Sequence, residues 1–402
     1  MESNSIAIGR LFSSFQPRLS MSCLRAGAYR IEITPYETAF LAGFSRDRRS
    51  TGVHDDLYAR CLVLESKGIK LGFVALDLIG LFNGDVFEMR RLCGMEEMIV
   101  ACTHTHSGPD TIGLWGPSPE SSGVDERYVN FLKAKVSECI RRAISSMADA
   151  KLSLSARDAS GISKNVRKSS NLDNELLVAK LERPNGGTIA TLINFASHPE
   201  VLGDHNTLIS ADFPGYTCNS IEHEIGGCAI YLNGAIGGMV TPDASQEDFE
   251  STEVIGHKVA KKTIEAFDGA ELQEEPRISL RRSRIRIPLV NDNFSELLSR
   301  GVLRRERFDG HLWTEVTVAR VAGAQFATIP GEAFPDLGLE IKKMMRAKYK
   351  FVLGIAEDEL GYIMQESDFK LKLYNYEQSM SVGPKSWPIL KEAVSLLLQS
   401  SV

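Results

Sequence analysis

The chain has 402 residues, of which 43% are hydrophobic and 24% are charged, an ordinary composition for a globular protein. Its formal net charge of −6 at pH 7 argues against a general nucleic-acid binder, because phosphate binding requires a basic surface. The seven cysteines are dispersed and form no C-x-x-C pair, which indicates reduced thiols, and no apolar run approaches the ~20 residues that span a bilayer. We therefore expect a cytoplasmic protein with no transmembrane segment and no nucleic-acid partner.

Residues 1–25 are expected to be a disordered extension. They carry scattered apolar residues and arginines but almost no acid, and they lack the continuous apolar core and the cleavage site of a secretory signal. The remaining residues, 26–402, are expected to form a single domain, because no linker is long enough to divide them.

Apolar alternation and helical spacing predict a series of elements along the chain. In the first half these are strands at 29–35, 57–64, 71–78 and 98–101, helices at 84–92 and 125–147, and a hairpin at 176–181 and 188–196. In the second half they are helices at 214–225, 250–267, 337–345 and 388–398, and strands at 228–232, 277–290, 313–321, 325–329 and 351–355. Hairpins alternate with helices, which is typical of an α/β fold with mixed β-sheets built from hairpins and covered by α-helices in a layered sandwich.

The strand at 98–101 runs into Thr103-His-Thr-His-Ser-Gly-Pro109, where glycine and proline end the sheet. In an extended segment His104 and His106 point the same way, roughly 7 Å apart along the chain. Two imidazoles on one side of a strand end suit a metal ligand and a neighbouring acid/base group. The alternative for an isolated H-x-H is a pair of hydrogen-bonded core histidines. Other residues of the chain are needed to distinguish this alternative from a metal site.

Two further strand ends carry polar groups beside proline or glycine. His198 follows the strand at 188–196, and Glu332 follows the strand at 325–329. The strand ends of an α/β scaffold bring distant positions together. Two histidines and a carboxylate suit a catalytic zinc, which keeps three protein ligands and an open position and favours hydrolysis of an acyl bond. Spacing alone does not show that these residues converge. The alternative is that they are helix caps and turn residues in separate parts of the fold.

Residues 103–109 resemble the T-H-T-H-S-G-P signature of the neutral (non-lysosomal) ceramidases, zinc amidases that split ceramide into sphingosine and a fatty acid. The resemblance extends to other motifs in the family's order. They lie at Gly52–Arg60, Asn165–Arg167, Asn194–Pro199 and Pro330–Glu332, and at Gly361-Tyr362 with Tyr376-Glu377. Any one of these motifs is weak, whereas six in order are specific, so the resemblance implies a ceramidase-like catalytic domain.

Carried over by position, the resemblance implies a zinc-dependent hydrolase that cleaves an amide (N-acyl) bond by metal-activated water. One zinc per chain is implied, and its ligands are His104, His198, Glu332 and Tyr362. The residues implied around the scissile amide are His106, Arg167 and either Tyr376 or Tyr374.

These implied roles are chemically reasonable. His106 can carry the proton from water to the leaving amine, and Arg167 or a tyrosine hydroxyl can stabilise the oxyanion. Trp115 lies in a loop rich in glycine and proline just after the histidines. We expect it either to form an apolar wall over the substrate or to anchor its loop.

The loop at Gly238–Asp243 departs from the family pattern G-D-x-S-P-N. Met239 replaces the acid, and Thr241 stands at the position of an active-site serine. Two alternatives stay open: a zinc-dependent deacylase or esterase of a smaller, non-lipid acyl substrate, and a catalytically inactive binding protein on the same fold. The expected partner is a small-molecule or lipid N-acyl substrate. The oligomeric state is left open, with a homodimer as one option.

Overall fold

The computed structural model describes residues 24–274 and 276–399. The expected extension at 1–25 lies outside the described residues except for its last two, and Arg25 begins the first strand. The strands are β1 (Arg25–Glu32), β2 (Gly52–Val53), β3 (Tyr58–Ser66), β4 (Ile69–Leu76), β5 (Met98–Cys102), β6 (Ala148–Asp149), β7 (Lys151–Asp158), β8 (Ser163–Asn165), β9 (Glu175–Glu182), β10 (Thr188–Phe195), β11 (Leu208–Ile209), β12 (Cys228–Asn233), β13 (Val240–Pro242), β14 (Glu271–Leu272), β15 (Ile278–Pro288), β16 (His311–Val321), β17 (Ala324–Thr328), β18 (Glu332–Ala333), β19 (Tyr349–Leu353) and β20 (Tyr362–Ile363). The α-helices are α1 (Asn83–Cys93), α2 (Glu126–Ser145), α3 (Asp212–Ile225), α4 (Phe249–Glu265), α5 (Asp292–Ser299), α6 (Pro335–Met344), α7 (Asn375–Ser379) and α8 (Ser386–Gln399).

The long helix α2 shows how the sequence pattern produces an element. Asp125 caps it by accepting a hydrogen bond from a backbone N–H two residues on, and Val129 and Leu132 recur at helical spacing and are fully buried. This apolar face packs against β1 and β3, so the helix covers one face of the first sheet. The helix predicted at 125–147 agrees with the structure to within two residues at each end. Among the described residues, none of the helices has both the length and the apolar content needed to cross a membrane.

Three mixed sheets share one construction. Their strand orders are β5-β4-β3-β1-β6, β12-β10-β9-β7-β14 and β15-β16-β17-β19. In each sheet an antiparallel hairpin is followed by a helix and then by a strand that pairs in parallel with the second hairpin strand: β4 with β5, β10 with β12 and β17 with β19. The mixed sheets expected from the sequence are confirmed, and the helical crossovers bring the carboxyl ends of neighbouring strands to one edge of each sheet. The short pairs β2–β11, β8–β13 and β18–β20 connect the loops beyond those edges.

The three sheets enclose a common core. The ring of Phe73 on β4 lies 5.0 Å from the ring of Phe326 on β17, which stacks 4.4 Å from Phe351 on β19. Leu192 on β10 belongs to the same buried cluster, so each sheet contributes one face. Because these apolar faces are buried against one another, the strand ends are held in fixed relative positions.

Two buried asparagines connect the carboxyl ends of strands from different sheets. The side-chain N–H groups of Asn233 donate to the carbonyls of Thr103, after β5, and Ser197, after β10, both at 2.9 Å. The Asn194 side chain donates to the carbonyl of Val352 on β19 at 3.0 Å. All three sheets are therefore tied together at the edge from which the predicted site residues project.

Candidate active site

The first predicted site residues follow β5, which ends at Cys102. His104 has a φ of 74°, a left-handed conformation that is uncommon outside glycine and clusters at functional sites. The segment is therefore not extended as the sequence analysis assumed, but the turn still brings the ring centroids of His104 and His106 to 5.1 Å. The backbone N–H of His104 donates to the Leu78 carbonyl at 2.9 Å, and its Nδ1 donates to the Ile79 carbonyl at 2.5 Å.

His198 follows β10 and is anchored in the same manner. Its backbone N–H and its Nδ1 both donate to the carbonyl of Val240, at 2.9 Å and 2.8 Å. Because His198 Nδ1 makes this hydrogen bond, its Nε2 faces the site and lies 3.0 Å from one oxygen of the Glu332 carboxylate. His104 Nε2 lies 3.6 Å from the other oxygen. A backbone acceptor behind each imidazole is the arrangement that orients metal-ligating histidines.

Glu332 and Tyr362 are register partners in the parallel pair β18–β20, so their side chains stand next to each other. Burial raises the pKa of the Tyr362 hydroxyl well above its ordinary value, and the neighbouring Glu332 carboxylate adds to the effect; both residues are buried. The structure thus brings together His104, His198, Glu332 and Tyr362, the four ligands that the family resemblance implies.

His106 lies against the other two histidines but makes no hydrogen bond through its ring. One ring nitrogen from each of His104, His106 and His198 fits within 4.8 Å, so these nitrogens can share a metal ion. Both ring nitrogens of His106 are buried without a hydrogen-bond partner in the described residues. Buried polar atoms without a hydrogen-bond partner destabilise the folded protein unless a ligand binds to them. The donor set of imidazoles and a carboxylate fits a divalent metal such as zinc.

Burial and charge act differently on the three histidines. Burial lowers the pKa of His104 to about 4, and the Glu332 carboxylate offsets this only in part. Burial also lowers the pKa of His106 well below its ordinary value, and repulsion from His104 adds to the effect. Burial acts on His198 too, but the carboxylates of Glu200 and Glu332 outweigh it and raise the pKa to about 9. His104 and His106 are therefore neutral imidazoles at pH 7, the form that binds metals and accepts protons.

The N-x-R and Y-E motifs meet in one ion pair. Arg167 Nε donates to the fully buried Glu377 carboxylate at 2.7 Å. Asn165 shapes the turn before it, because its side-chain oxygen accepts hydrogen bonds from the backbone N–H groups of Arg167 and Lys168. Arg167 is thus fixed at the edge of the site, with 28% of its side chain exposed.

A cavity of about 240 Å³, called the inner cavity below, opens from the histidines. Tyr376 lines it, whereas Tyr374 packs in the core 4.9 Å from Phe334, so Tyr376 is the tyrosine placed to meet a ligand. Trp115 is part of the wall and also anchors its loop, since its Nε1 donates to the Phe44 carbonyl at 3.0 Å. The walls are mainly apolar and include Phe82, Leu114, Phe294, Leu303 and Leu312.

An open cleft of about 1000 Å³, called the outer cleft below, meets the inner cavity. Phe44, Glu200 and Met239 line both. The walls of the outer cleft carry mostly polar and charged side chains, and they include Arg167 and Thr241. These two predicted site residues therefore border the outer cleft and not the inner cavity.

Comparison with known proteins identifies the family of this fold and site. A model of the N-terminal region of neutral/alkaline non-lysosomal ceramidases matches residues 25–236, which is more than half of the chain. The chain belongs to this family. The matched region includes His104, His106 and His198, whereas Glu332 and Tyr362 lie beyond it.

The relatives share the ceramidase fold at low sequence identity. Neutral ceramidase B of Dictyostelium discoideum is 23% identical over 334 residues, which cover 66% of this chain and 46% of that protein, so the chain spans about half the length of this curated relative. The solved neutral ceramidase of Pseudomonas aeruginosa matches with a TM-score of 0.78 at 18% identity, over 94% of this chain and 74% of that one. A solved ceramidase in complex with C2 matches with a TM-score of 0.78 at 17% identity, over 94% and 76%.

Three residues of this ceramidase-family site were missed by sequence reasoning. Arg48, which lies in the charged stretch Arg46–Arg49, is buried and donates to the backbone carbonyl of His106. Gly43 lies so close to His106 that an added Cβ would stand 2.3 Å from the ring. Glu200 lies 3.7 Å from His106 Nδ1 and directly follows the H-P motif, which is the signal that could have found it.

The motif at Gly52–Arg60 does not contribute to the inner cavity or the outer cleft. His54 stacks on Phe249 with ring centroids 3.6 Å apart, and the buried Arg60 pairs with Glu222 at 2.5 Å. In this member of the ceramidase family the motif therefore supports the fold.

Proposed function

We propose that this protein is a zinc-dependent amidohydrolase that cleaves an N-acyl bond, in keeping with its membership of the ceramidase family. The observation that carries the proposal is the convergence of three buried histidines, one of which has no partner for either ring nitrogen. The residues proposed to hold the metal are His104, His198, Glu332 and Tyr362. When bound, zinc supplies a Lewis acid that polarises the amide carbonyl and makes water more acidic.

We assign the acid/base role to His106. The Glu200 carboxylate lies 3.7 Å from Nδ1 and favours a proton there, which leaves Nε2 free to act as the base. Because its lowered pKa keeps the ring neutral at pH 7, Nε2 accepts a proton from the attacking water and returns it to the departing amine nitrogen. The C–N bond breaks, and the products are a carboxylic acid and an amine.

Arg167 and Tyr376 are proposed to stabilise the charge that develops on the amide oxygen. Glu377 engages only Nε of Arg167, so the outer N–H groups of the guanidinium can meet a substrate at the edge of the site. The centroid of the Tyr376 ring lies 5.9 Å from that of the Tyr362 ring, and both residues line the inner cavity. The Thr241 hydroxyl is proposed to bind the amine portion of the substrate in the outer cleft.

The experiment that tests this proposal is metal analysis combined with an activity assay. Wild type, His198→Ala and the exposed-site control His223→Ala are purified without added metal and analysed for zinc. We expect about one zinc per chain in wild type and control, little in His198→Ala, and hydrolysis of N-acyl amides only by the two that contain zinc.

Two results would contradict the proposal. Absence of metal in the wild type, even after zinc is offered, would remove the basis for metal-assisted hydrolysis. A zinc-loaded wild type that cleaves no N-acyl amide would favour the inactive binding protein on the same fold.

A further inference from the structure

We infer that the substrate has an apolar acyl group and a small polar amine portion that presents hydrogen-bond donors, and is not a lipid with two long chains. This inference rests on the proposed amide hydrolysis and narrows its substrate class. It comes from the contrast between the inner cavity and the outer cleft, which meet at the three residues Phe44, Glu200 and Met239.

The inner cavity suits a hydrocarbon chain. It has two charged side chains apart from the metal site and Glu200. Arg305 forms two hydrogen bonds with the fully buried Asp358, at 3.0 Å and 2.5 Å, and Glu359 accepts the backbone N–H of Gly361 through Oε1 at 2.8 Å, while its Oε2 is buried without a partner among the described residues. The remaining wall is largely made of aliphatic and aromatic side chains from α5, the segment after it and β16. A chain placed here leaves water without giving up polar contacts.

The outer cleft suits a polar group with donors. Of its two cations, Lys164 pairs with Asp243 at 3.0 Å, and Arg167 pairs with Glu377 through Nε and keeps its outer N–H groups for the amide oxygen. By contrast Glu200, Asp204 and Glu247 have no ion pair with lysine or arginine anywhere in the part of the chain that the structure describes. A second alkyl chain lying here would strip water from these carboxylates without replacing it, whereas hydroxyl or ammonium groups would satisfy them.

The position of His106 places the scissile bond where the two spaces meet, and the contrast in their lining then directs the two parts of the substrate. This ring is 7% exposed, both of its nitrogens lack a partner, and its Nδ1 faces Glu200, which lines both spaces. A group that protonates the leaving nitrogen has to lie next to it. The nitrogen therefore lies at the junction, the amine portion extends into the outer cleft, and the acyl chain extends past the histidines into the inner cavity.

A set of amides with matched chains tests the inference. N-octanoyl ethylenediamine and N-octanoyl ethanolamine carry polar amines, N-octanoyl octylamine carries a second chain, and N-acetyl octylamine reverses the polarity. We expect kcat/KM for the first two to exceed that for the other two at least tenfold. Preference for N-octanoyl octylamine, for N-acetyl octylamine or for an octanoyl ceramide would overturn the inference. Failure to cleave any of them would instead contradict the proposed amide hydrolysis.

A binding measurement tests the acyl side independently of turnover. Trp115 lines the inner cavity, so its fluorescence should respond to octanoate with saturation, and the response should be lost in Trp115→Phe. Leu303→Trp, which fills the cavity, should weaken octanoate binding at least tenfold. If that variant does not fold, Leu303→Ala should shift the preference toward longer acyl chains. Octanoate binding that is absent, or unchanged in the Leu303 variants, would overturn the assignment.

Substitution of Asp204, which is exposed in the outer cleft, tests the amine side. Asp204→Asn should lower the preference for N-octanoyl ethylenediamine over N-octanoyl ethanolamine about threefold, because one carboxylate no longer attracts the ammonium group. Asp268→Asn removes an exposed charge that does not line the cleft and should leave the preference unchanged. Equal effects of the two substitutions would contradict a specific role for the cleft.

Discussion

The Nδ1 atoms of His104 and His198 donate to backbone carbonyls, whereas the ring of His106 makes no hydrogen bond to any residue that the structure describes. The first two follow strands β5 and β10 directly and face Glu332. The contrast indicates two kinds of function at one site: a fixed ligand set needs a single orientation and tautomer, whereas a proton carrier needs a nitrogen that is free to change partners.

The same contrast separates the surroundings of these residues. The fixed group lies where three sheets meet and is almost completely buried. Arg167 comes from a loop and Tyr376 from the short helix α7, and both are partly exposed. Loops held on a rigid scaffold are where substrate contacts usually lie. Substitutions on the two sides should therefore differ in what they damage.

The largest effect is expected from His106→Asn. If His106 carries the proton, kcat/KM on an N-acyl amide should fall by about 10²–10⁴, while zinc content stays near that of the wild type. The exposed His223→Asn, which lines neither the inner cavity nor the outer cleft, serves as control. Loss of zinc together with activity would place His106 among the metal ligands and remove the distinction between fixed and free histidines.

Asn233→Ala should lower the unfolding free energy, because Asn233 connects the strand ends that carry the buried site residues. The substitution leaves the buried carbonyls of Thr103 and Ser197 without their donors, which should cost about 2–3 kcal/mol of unfolding free energy. Urea denaturation measures this loss, and Asn219→Ala on the exposed face of α3 is the matched control. An unchanged urea midpoint would show that core packing alone positions the strand ends.

Arg167→Lys should lower activity without changing the buried metal site. Lysine keeps the charge but not the planar array of donors, so we expect a 10–100-fold lower kcat/KM with unchanged zinc content. Glu377→Gln retains an acceptor for Arg167 Nε and should have a smaller effect. Activity of Arg167→Lys equal to that of the wild type would exclude a specific contact between the guanidinium and the substrate.

The smallest effect is expected from Asp212→Asn and should depend on pH. Burial raises the pKa of Asp212 to about 7, so the folded state holds a proton that the unfolded chain releases from about pH 4 upward. The unfolding free energy of the wild type therefore falls as pH rises from about 4 to 7. Asparagine cannot ionise and tolerates the left-handed backbone at this position, where φ is 54°.

Relative to the wild type, Asp212→Asn should gain about 1 kcal/mol of unfolding free energy between pH 6 and pH 8. Parallel urea titrations at the two pH values measure the difference, and the exposed Asp268→Asn should show none. A constant difference between Asp212→Asn and wild type would mean that Asp212 is already ionised at pH 6.

Sequence patterns predicted much of the buried group His104, His198 and Glu332. They predicted less of the partly exposed residues around it. Apolar strands ending at glycine or proline are local signals, so the positions of His104, His198 and Glu332 at strand ends followed from the chain itself. The left-handed turn at His104 was missed, because it depends on carbonyls from the neighbouring strand end. Arg48 was missed because burial of a charged residue depends on tertiary contacts that composition does not reveal.

Helix α5 illustrates the same limit on the substrate side. It has only eight residues, too few for helical spacing to stand out, and the sequence analysis assigned no element there. Yet α5 and the segment after it close the inner cavity through Phe294 and Leu303. The wall of the inner cavity thus depends on one of the two shortest α-helices in the described part of the chain.

The joining of three sheets at one edge has a consequence for the order of assembly. His104 and Glu332 are more than two hundred residues apart in the chain, and Glu332 follows β17 of the last sheet. During synthesis the histidines emerge long before the carboxylate that faces them. Before β16 to β19 have emerged from the ribosome, the nascent chain contains the three histidines. It lacks the Glu332 carboxylate and the part of the inner-cavity wall that β16 provides. Function in this fold is therefore acquired last, in the step that docks the third sheet.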